Sequence, residues 1–390
     1  MTAQAPTSEA RTAAAAFAES FGRPPAGVWS APGRVNLMGE HTDYNRGLCL
    51  PMALPRRTWV AAARRDDDLL RVRSLQVAEP VTIDLSEVGP GSPLGWGAYA
   101  AGVLWALRGA GHVVGGLDLL VDGRVPLGAG LSSSAALECA TALAAVDVFG
   151  LDGLQGPAGL ADLARLCARA ENDIALAPTG GMDQSVALLG SEGHALLLDF
   201  RDDTSTQVPF DLAGADLTVL VMDTRAEHAL VDGQYGNRRS ECRAAAGALG
   251  VSSLRQATAD AVERLADPLL RRRARHVVSE VSRVSTTVEL LRHGDFRGLG
   301  EVFDASHASM RDDFEISCLE LDLAVERSRV AGAWAARMTG GGFGGSAIAV
   351  VEAREADAVT AAVERAFSDA GLRSPSCFTA RAEGAGRREL

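Results

Sequence analysis

The 390-residue chain contains no lysine: all 38 of its basic residues are arginine. That absence excludes mechanisms built on an ammonium group, including the Walker phosphate loop and the strand lysine of protein kinases. No uninterrupted apolar run is long enough to span a bilayer. A formal charge of −12 without a basic face argues against nucleic acid or an anionic membrane as partner, because phosphate contacts require clustered cations. The six cysteines, Cys49, Cys139, Cys167, Cys242, Cys318 and Cys377, form no CxxC pair, and several fall in apolar helical patterns. They read as buried thiols in a reducing compartment, which points to the cytoplasm. Glu9, Arg11 and Glu19 interrupt the apolar region that a signal peptide would need. What is there, 47% hydrophobic and 23% charged residues, is an ordinary globular composition at a length that suits two domains and a small-molecule substrate.

The pattern predicts an N-terminal helix over 5–20, a glycine-rich segment over 29–51 between strands, and strands over 58–63, 70–74 and 117–121. Residues 135–148 are apolar almost all round, which predicts a buried helix. A second helix, 160–172, carries Leu160, Leu163, Cys167 and Ala170 on one face and Glu171 at its edge, where a carboxylate needs a partner. After a strand over 195–198, the polar stretch 201–207 reads as the domain boundary, giving units 1–204 and 205–390. The second unit offers strands over 217–222 and 347–351 and helices over 238–249, 269–293 and 318–331. Strands mixed with helices in both units define an α+β protein of two domains.

Four stretches carry chemistry. Gly33 to Tyr44, GRVNLMGEHTDY, sets Arg34, Glu40, His41, Asp43 and Tyr44 beside two glycines and the apolar Val35, Leu37 and Met38. That mixture makes a poor core and a poor surface, so it reads as a site. Pro126 to Ala136, PLGAGLSSSAA, places Gly128, Ala129, Gly130, Leu131 and the hydroxyls of Ser132, Ser133 and Ser134 before the long apolar helix. Backbone N–H groups at a helix start, left open by glycine, suit a phosphate. A serine N-cap after a flexible turn would account for one hydroxyl but not for three. The same serines are not in GxSxG, which argues against a hydrolase elbow. Thr179 to Gln184, TGGMDQ, brings Asp183 after a glycine pair, where it could cap a helix or face a ligand. Met338 to Gly345 packs five glycines into eight residues ahead of an apolar strand, as close backbone approach requires.

The three stretches GRVNLMGEHTDY, PLGAGLSSSAA and TGGGFGG, in this order across nearly the whole chain, resemble the motifs of the galactokinase branch of the GHMP small-molecule kinases. The resemblance implies a ribosomal-protein-S5-like N-terminal domain, a ferredoxin-like C-terminal domain and an active site between them. It implies Asp183 and Arg34 as catalytic residues. It implies Glu40, His41, Asp43, Gly180 and Tyr235 as holders of the sugar hydroxyls, and the 128–134 loop with Trp96 and Tyr99 as the nucleotide site. Ser133, Ser134 and Glu171 match the region that binds Mg²⁺. Two departures stand out: Asp223 to His228 lacks the asparagine usual in many relatives, and Met38 replaces a commoner isoleucine.

The implied reaction is transfer of the ATP γ-phosphoryl group to the C1 hydroxyl of α-D-galactose. Phosphoryl transfer asks for positioning and charge neutralisation more than for covalent help. Asp183 is then expected to accept the hydroxyl proton, and Arg34 to stabilise charge beside it. Glu40, His41 and Asp43 read as polyol ligands rather than as a metal site. Two alternatives remain at this point: a kinase for another C1-hydroxyl sugar such as N-acetylgalactosamine or L-arabinose, and a non-catalytic galactose- and ATP-binding regulator. The intact run Ser132 to Ala136 and Asp183 favour an enzyme.

Overall fold

The structure is a computed structural model that describes residues 7–226 and 233–390. Its first sheet has six strands in the order Arg387–Arg388, Gly27–Asn36, Pro51–Arg64, Leu117–Gly123, Leu69–Ser74, Val81–Asp84. All neighbours are antiparallel except Leu69–Ser74 against Leu117–Gly123. The two-residue period of the strands decides which helix covers which face. Val28, Ala61, Ala63 and Leu120 meet Phe17, Ala10 and Ala13 of the helix Ser8–Phe21. Their neighbours Trp29, Val60, Ala62, Leu119 and Val121 point the other way, into the larger core beneath Ala98–Gly109, Ser133–Phe149 and Gly156–Asp173. Ser133–Phe149 packs against four strands and three α-helices, which is why it has no polar face.

The second sheet has the order Ala335–Thr339, Ser346–Glu352, Leu217–Asp223, Ser376–Ala380, all antiparallel. With the helices between Leu217–Asp223 and Ala335–Thr339, and Ala356–Asp369 after Ser346–Glu352, this is the βαββαβ ferredoxin-like arrangement. A third sheet joins Leu48–Cys49, His194–Asp199 and Thr204–Pro209. The polar stretch 201–207 therefore forms a hairpin turn and most of its second strand, and the chain later returns to the first sheet through Arg387–Arg388. All six cysteines are free thiols, four of them buried. No helix among the described residues is long and apolar enough to cross a membrane.

The two larger sheets meet where the strands Gly27–Asn36 and Ala335–Thr339 end side by side. Thr339 Oγ1 accepts from the Asn36 N–H at 2.9 Å and donates to the Asn36 carbonyl at 3.0 Å. Arg337, fully buried, donates to the carbonyls of Asn36 and Leu37 and pairs with Glu40 and Glu280. Glu280, on the helix Pro268–Arg292, also accepts from Arg283, Ser306 and the Gly39 N–H. Against the cost of burial, the Arg283 and Arg337 guanidiniums hold Glu280 down to about 2. Removing one member of such a set strands the other charges away from water. Glu280→Ala is therefore expected to cost about 3–5 kcal/mol of stability, measurable by urea unfolding; a loss under about 1 kcal/mol would show that the cluster carries no net charge balance.

Candidate active site

Arg34 leaves its strand at a register shift between Pro32 and Arg34, which turns the side chain toward the serine loop. Its Nε and one Nη each donate to a different oxygen of Asp183, both at 2.8 Å, and the second Nη donates to the Gly130 carbonyl at 2.6 Å. Two parallel bonds of this kind use the planar fork that only arginine provides. Asp183 lies in the first turn of the helix Met182–Leu189 but does not cap it, since its carboxylate is committed outward. Ser132 completes the group by donating to Asp183 Oδ2 at 2.5 Å. The glycine-rich loop closes over the same spot: a Cβ on Gly340 would lie 2.9 Å from the Gly130 carbonyl, so a side chain there would push the two loops apart.

Beside this pair is a cavity of about 170 Å³, lined by Arg34, Glu40, His41, Asp43, Glu171, Asp183, Tyr235, Gly340 and Gly341 among others. Asp43 accepts from its neighbour's N–H at 2.9 Å, and burial pushes its carboxyl up to about 6. A Cβ added to Gly180 would overlap the Asp43 carboxylate, so glycine is required there by contact alone. His41 bonds Tyr44 through Nδ1 at 2.7 Å and the Gly341 carbonyl through Nε2 at 3.0 Å. Its ring lies 4.9 Å from those of Tyr235 and Phe314. Of the expected sugar ligands, Glu40, His41, Asp43 and Tyr235 converge on this cavity, while Gly180 lines a different cavity of about 270 Å³. Glu40 Oε2 accepts from Arg337 and Oε1 from the Gly340 N–H, because an unpaired carboxylate that deep would be costly. It supports the cavity wall before it can serve a ligand.

A second cavity of about 330 Å³ is lined by Trp96, Tyr99, Gly128, Ser133 and Ser134, with Val121, Val125 and Leu137 giving it apolar walls. Ala129 and Leu131 face away from it; Ala129 accepts from Ser346 and Leu131 from the Arg34 N–H through their carbonyls. Ser132 turns toward Asp183 rather than into this cavity. Ser134 bonds Glu171, which lines the first cavity, so this pair stands where the two cavities adjoin. Burial raises Glu171 to about 7. Gln184 donates to Glu171 at 2.6 Å and to the buried Glu138 at 3.0 Å, while Glu138 Oε1 has no partner.

Several participants escaped the sequence reading. Arg337 and Glu280 gave a signal that went unused: a charge inside an apolar strand, and a carboxylate on the apolar stripe of His276, Val277, Val281 and Val284. Gln184 gave none. Of the segment 223–228, Glu227 and His228 lie outside the described residues.

Three family models match the chain: the galactokinase galactose-binding signature at 15–64, the GHMP kinase N-terminal domain at 98–191 and the GHMP kinase C-terminal domain at 287–369. A Streptomyces coelicolor galactokinase is 52% identical over 95% of this chain and 96% of its own length. This chain belongs to the galactokinase family. Other galactokinases, from Mycobacterium tuberculosis and Bos taurus, are 47% and 41% identical over 89% and 90% of the chain, and cover 95% and 90% of their own lengths. A Lactococcus lactis galactokinase solved with galactose superposes with a TM-score of 0.91 at 32% identity, covering 97% of this chain and 99% of that one. A Methanococcus jannaschii mevalonate kinase, at 14% identity and a TM-score of 0.66, shares the fold over 92% of this chain and 98% of its own. The two-domain GHMP kinase fold is therefore shown, and within the galactokinase family signature lie Arg34, Glu40, His41 and Asp43.

The Asp43 environment has a pH consequence. Its folded pKa of about 6 lies above the ordinary 3.8, so the folded protein holds a proton that the unfolded chain releases. That contribution is complete below about pH 4 and is lost as pH rises through about 6, on the order of 1–3 kcal/mol. Urea unfolding of the ligand-free protein at pH 4.5 and 6.5 should show a smaller stability loss for Asp43→Asn than for the wild type; equal losses would rule out this assignment.

Proposed function

We propose that the protein transfers the γ-phosphoryl group of ATP to the C1 hydroxyl of D-galactose, releasing galactose 1-phosphate and ADP. The observation that carries the reading is the Arg34–Asp183 pair, set between a small polar cavity and a larger aromatic-walled one. The small cavity takes the sugar and the larger one the nucleotide, whose phosphates reach toward the open N–H groups of the 128–134 loop. Asp183 accepts the C1 hydroxyl proton as that oxygen bonds phosphorus and the bond to the leaving ADP oxygen breaks. Arg34 holds the Asp183 carboxylate in place and stabilises charge on the moving group. Ser132 keeps the same carboxylate from rotating. Asp43, His41 and Tyr235 line the sugar side, and Trp96 and Tyr99 flank the base.

Mg²⁺ fits the donors at the junction of the cavities. Glu171 and the Ser133 and Ser134 hydroxyls are hard oxygen ligands, Glu171 is a buried carboxylate short of positive charge, and Glu138 behind it has an orphaned oxygen. No cluster of three or more His, Cys, Asp or Glu residues stands ready for a metal among the described residues, which suits an ion held mainly by phosphates and one carboxylate. Such an ion neutralises charge on the β- and γ-phosphate oxygens when bound. Free thiols fit work in the reducing cytoplasm.

Three measurements test this. The wild type should show a far higher kcat/KM for D-galactose than for D-glucose, because a C4 epimer leaves buried polar groups unpaired; equal values, or activity on N-acetylgalactosamine alone, would overturn the substrate. Asp183→Asn should bind both substrates by calorimetry yet lose at least about 10²-fold in kcat, and near-normal turnover would remove Asp183 from the chemistry. Arg34→Lys should also be damaged despite keeping its charge, since an ammonium cannot span both Asp183 oxygens and Gly130 together.

A further inference from the structure

His41 has two ring nitrogens and both are engaged. Nε2 faces the Gly341 carbonyl, which can only accept, and Nδ1 faces the Tyr44 hydroxyl. Burial drives His41 down to about 3, so the ring is neutral and carries one proton; burial also keeps the Tyr44 phenol protonated. The proton count then leaves one arrangement: Nε2–H donates to Gly341, and Tyr44 O–H donates to Nδ1. His41 itself sits in the left-handed region, φ 60°, with its carbonyl held by Asn45 Nδ2 at 2.8 Å. A β-carbon-bearing residue adopts that backbone at a cost, and tolerates it only where its surroundings over-determine it.

We propose that Tyr44 is a positioning residue: by donating to Nδ1 of the Nε2–H tautomer that the Gly341 carbonyl selects, it holds the His41 ring in place and thereby steadies the Gly340–Gly341 wall of the sugar cavity. The proposal rests on reading the 170 Å³ cavity as the sugar site. His41 and Gly341 belong to segments 300 residues apart, and their bond joins the Glu40–Gly340 bond in tying the first motif to the glycine-rich loop beside the cavity. Without the tyrosine hydroxyl, Nδ1 is left as a buried acceptor with no donor, and the ring loses one of the two bonds that fix its rotation. A ring that turns also loses its bond to the Gly341 carbonyl, and the wall loses that tie. Tyr44 contacts neither Asp183 nor Arg34 through any hydrogen bond in the structure, so its influence falls on sugar binding and not on the transfer step.

Tyr44→Phe removes the hydroxyl and keeps the ring that packs on His41 and lies under Arg239. ¹⁵N spectra of the ligand-free protein should show His41 as the Nε2–H tautomer in both proteins, with the Nδ1 resonance shifted in Tyr44→Phe by loss of its hydrogen bond. Galactose KM should rise about three- to tenfold, the worth of one hydrogen bond, with kcat within about twofold. In a His41→Gln background the Tyr44→Phe change should add nothing further, because its effect passes through the imidazole. An unchanged Nδ1 resonance, an unchanged KM, or effects that add in the double variant would each overturn the proposal. A wild type inactive on galactose would overturn the substrate reading instead, and the ¹⁵N spectra would still decide the role of Tyr44.

Discussion

The Arg34 guanidinium is the interaction on which the remaining geometry depends, because it joins three segments far apart in the chain. It starts from the first sheet, binds the carbonyl of the serine loop at Gly130 and grips Asp183 at the start of another helix. A planar group with donors on three sides can satisfy all three at once, and a chain without lysine had no other cation to place there. The distances it imposes set how far the two cavities lie from each other. They also bring the glycine-rich loop so close to Gly130 that no side chain fits between.

Behind that pair is a second layer of buried charge with a different task. Arg337, Glu280, Glu40 and Arg283 set two cations against two carboxylates, and their mutual pairing holds the end of the second sheet on the end of the first. The cavity beside Arg34 and Asp183 adjoins this joint. Glu40 belongs to both layers, accepting from Arg337 and from the Gly340 N–H while lining that cavity. Replacing such a set with apolar residues often leaves stability unharmed, so its retention here is better explained by placement than by strength.

Elements with a strong period or an unbroken apolar run were legible in the sequence: Ser133–Phe149 and Pro268–Arg292 fall within two residues of expectation, and so does Leu217–Asp223. Ala98–Gly109 went unread as a helix because it is buried nearly all round and has no amphipathic rhythm. Thr204–Pro209 went unread as a strand because its side chains are mostly exposed and polar, and it looked like a linker. Motif residues with unusual composition announced the site, so Arg34, Asp43 and Asp183 could be named before their geometry was known. Ser132 could be placed in its loop but not aimed at Asp183. Aim depends on a left-handed backbone at that residue, φ 62°, which no local pattern encodes.

The strand Arg387–Arg388 lies at the margin of the first sheet against Gly27–Asn36, with the Glu389 carboxylate accepting from Ser30. The margin it covers belongs to a strand synthesised long before its cover, since Ser30 and Glu389 are 359 residues apart. Over that interval the strand presents unpaired N–H and C=O groups to any neighbour, the condition under which nascent sheets stick to one another. Docking of Arg387–Arg388 is thus a late step that seals this edge.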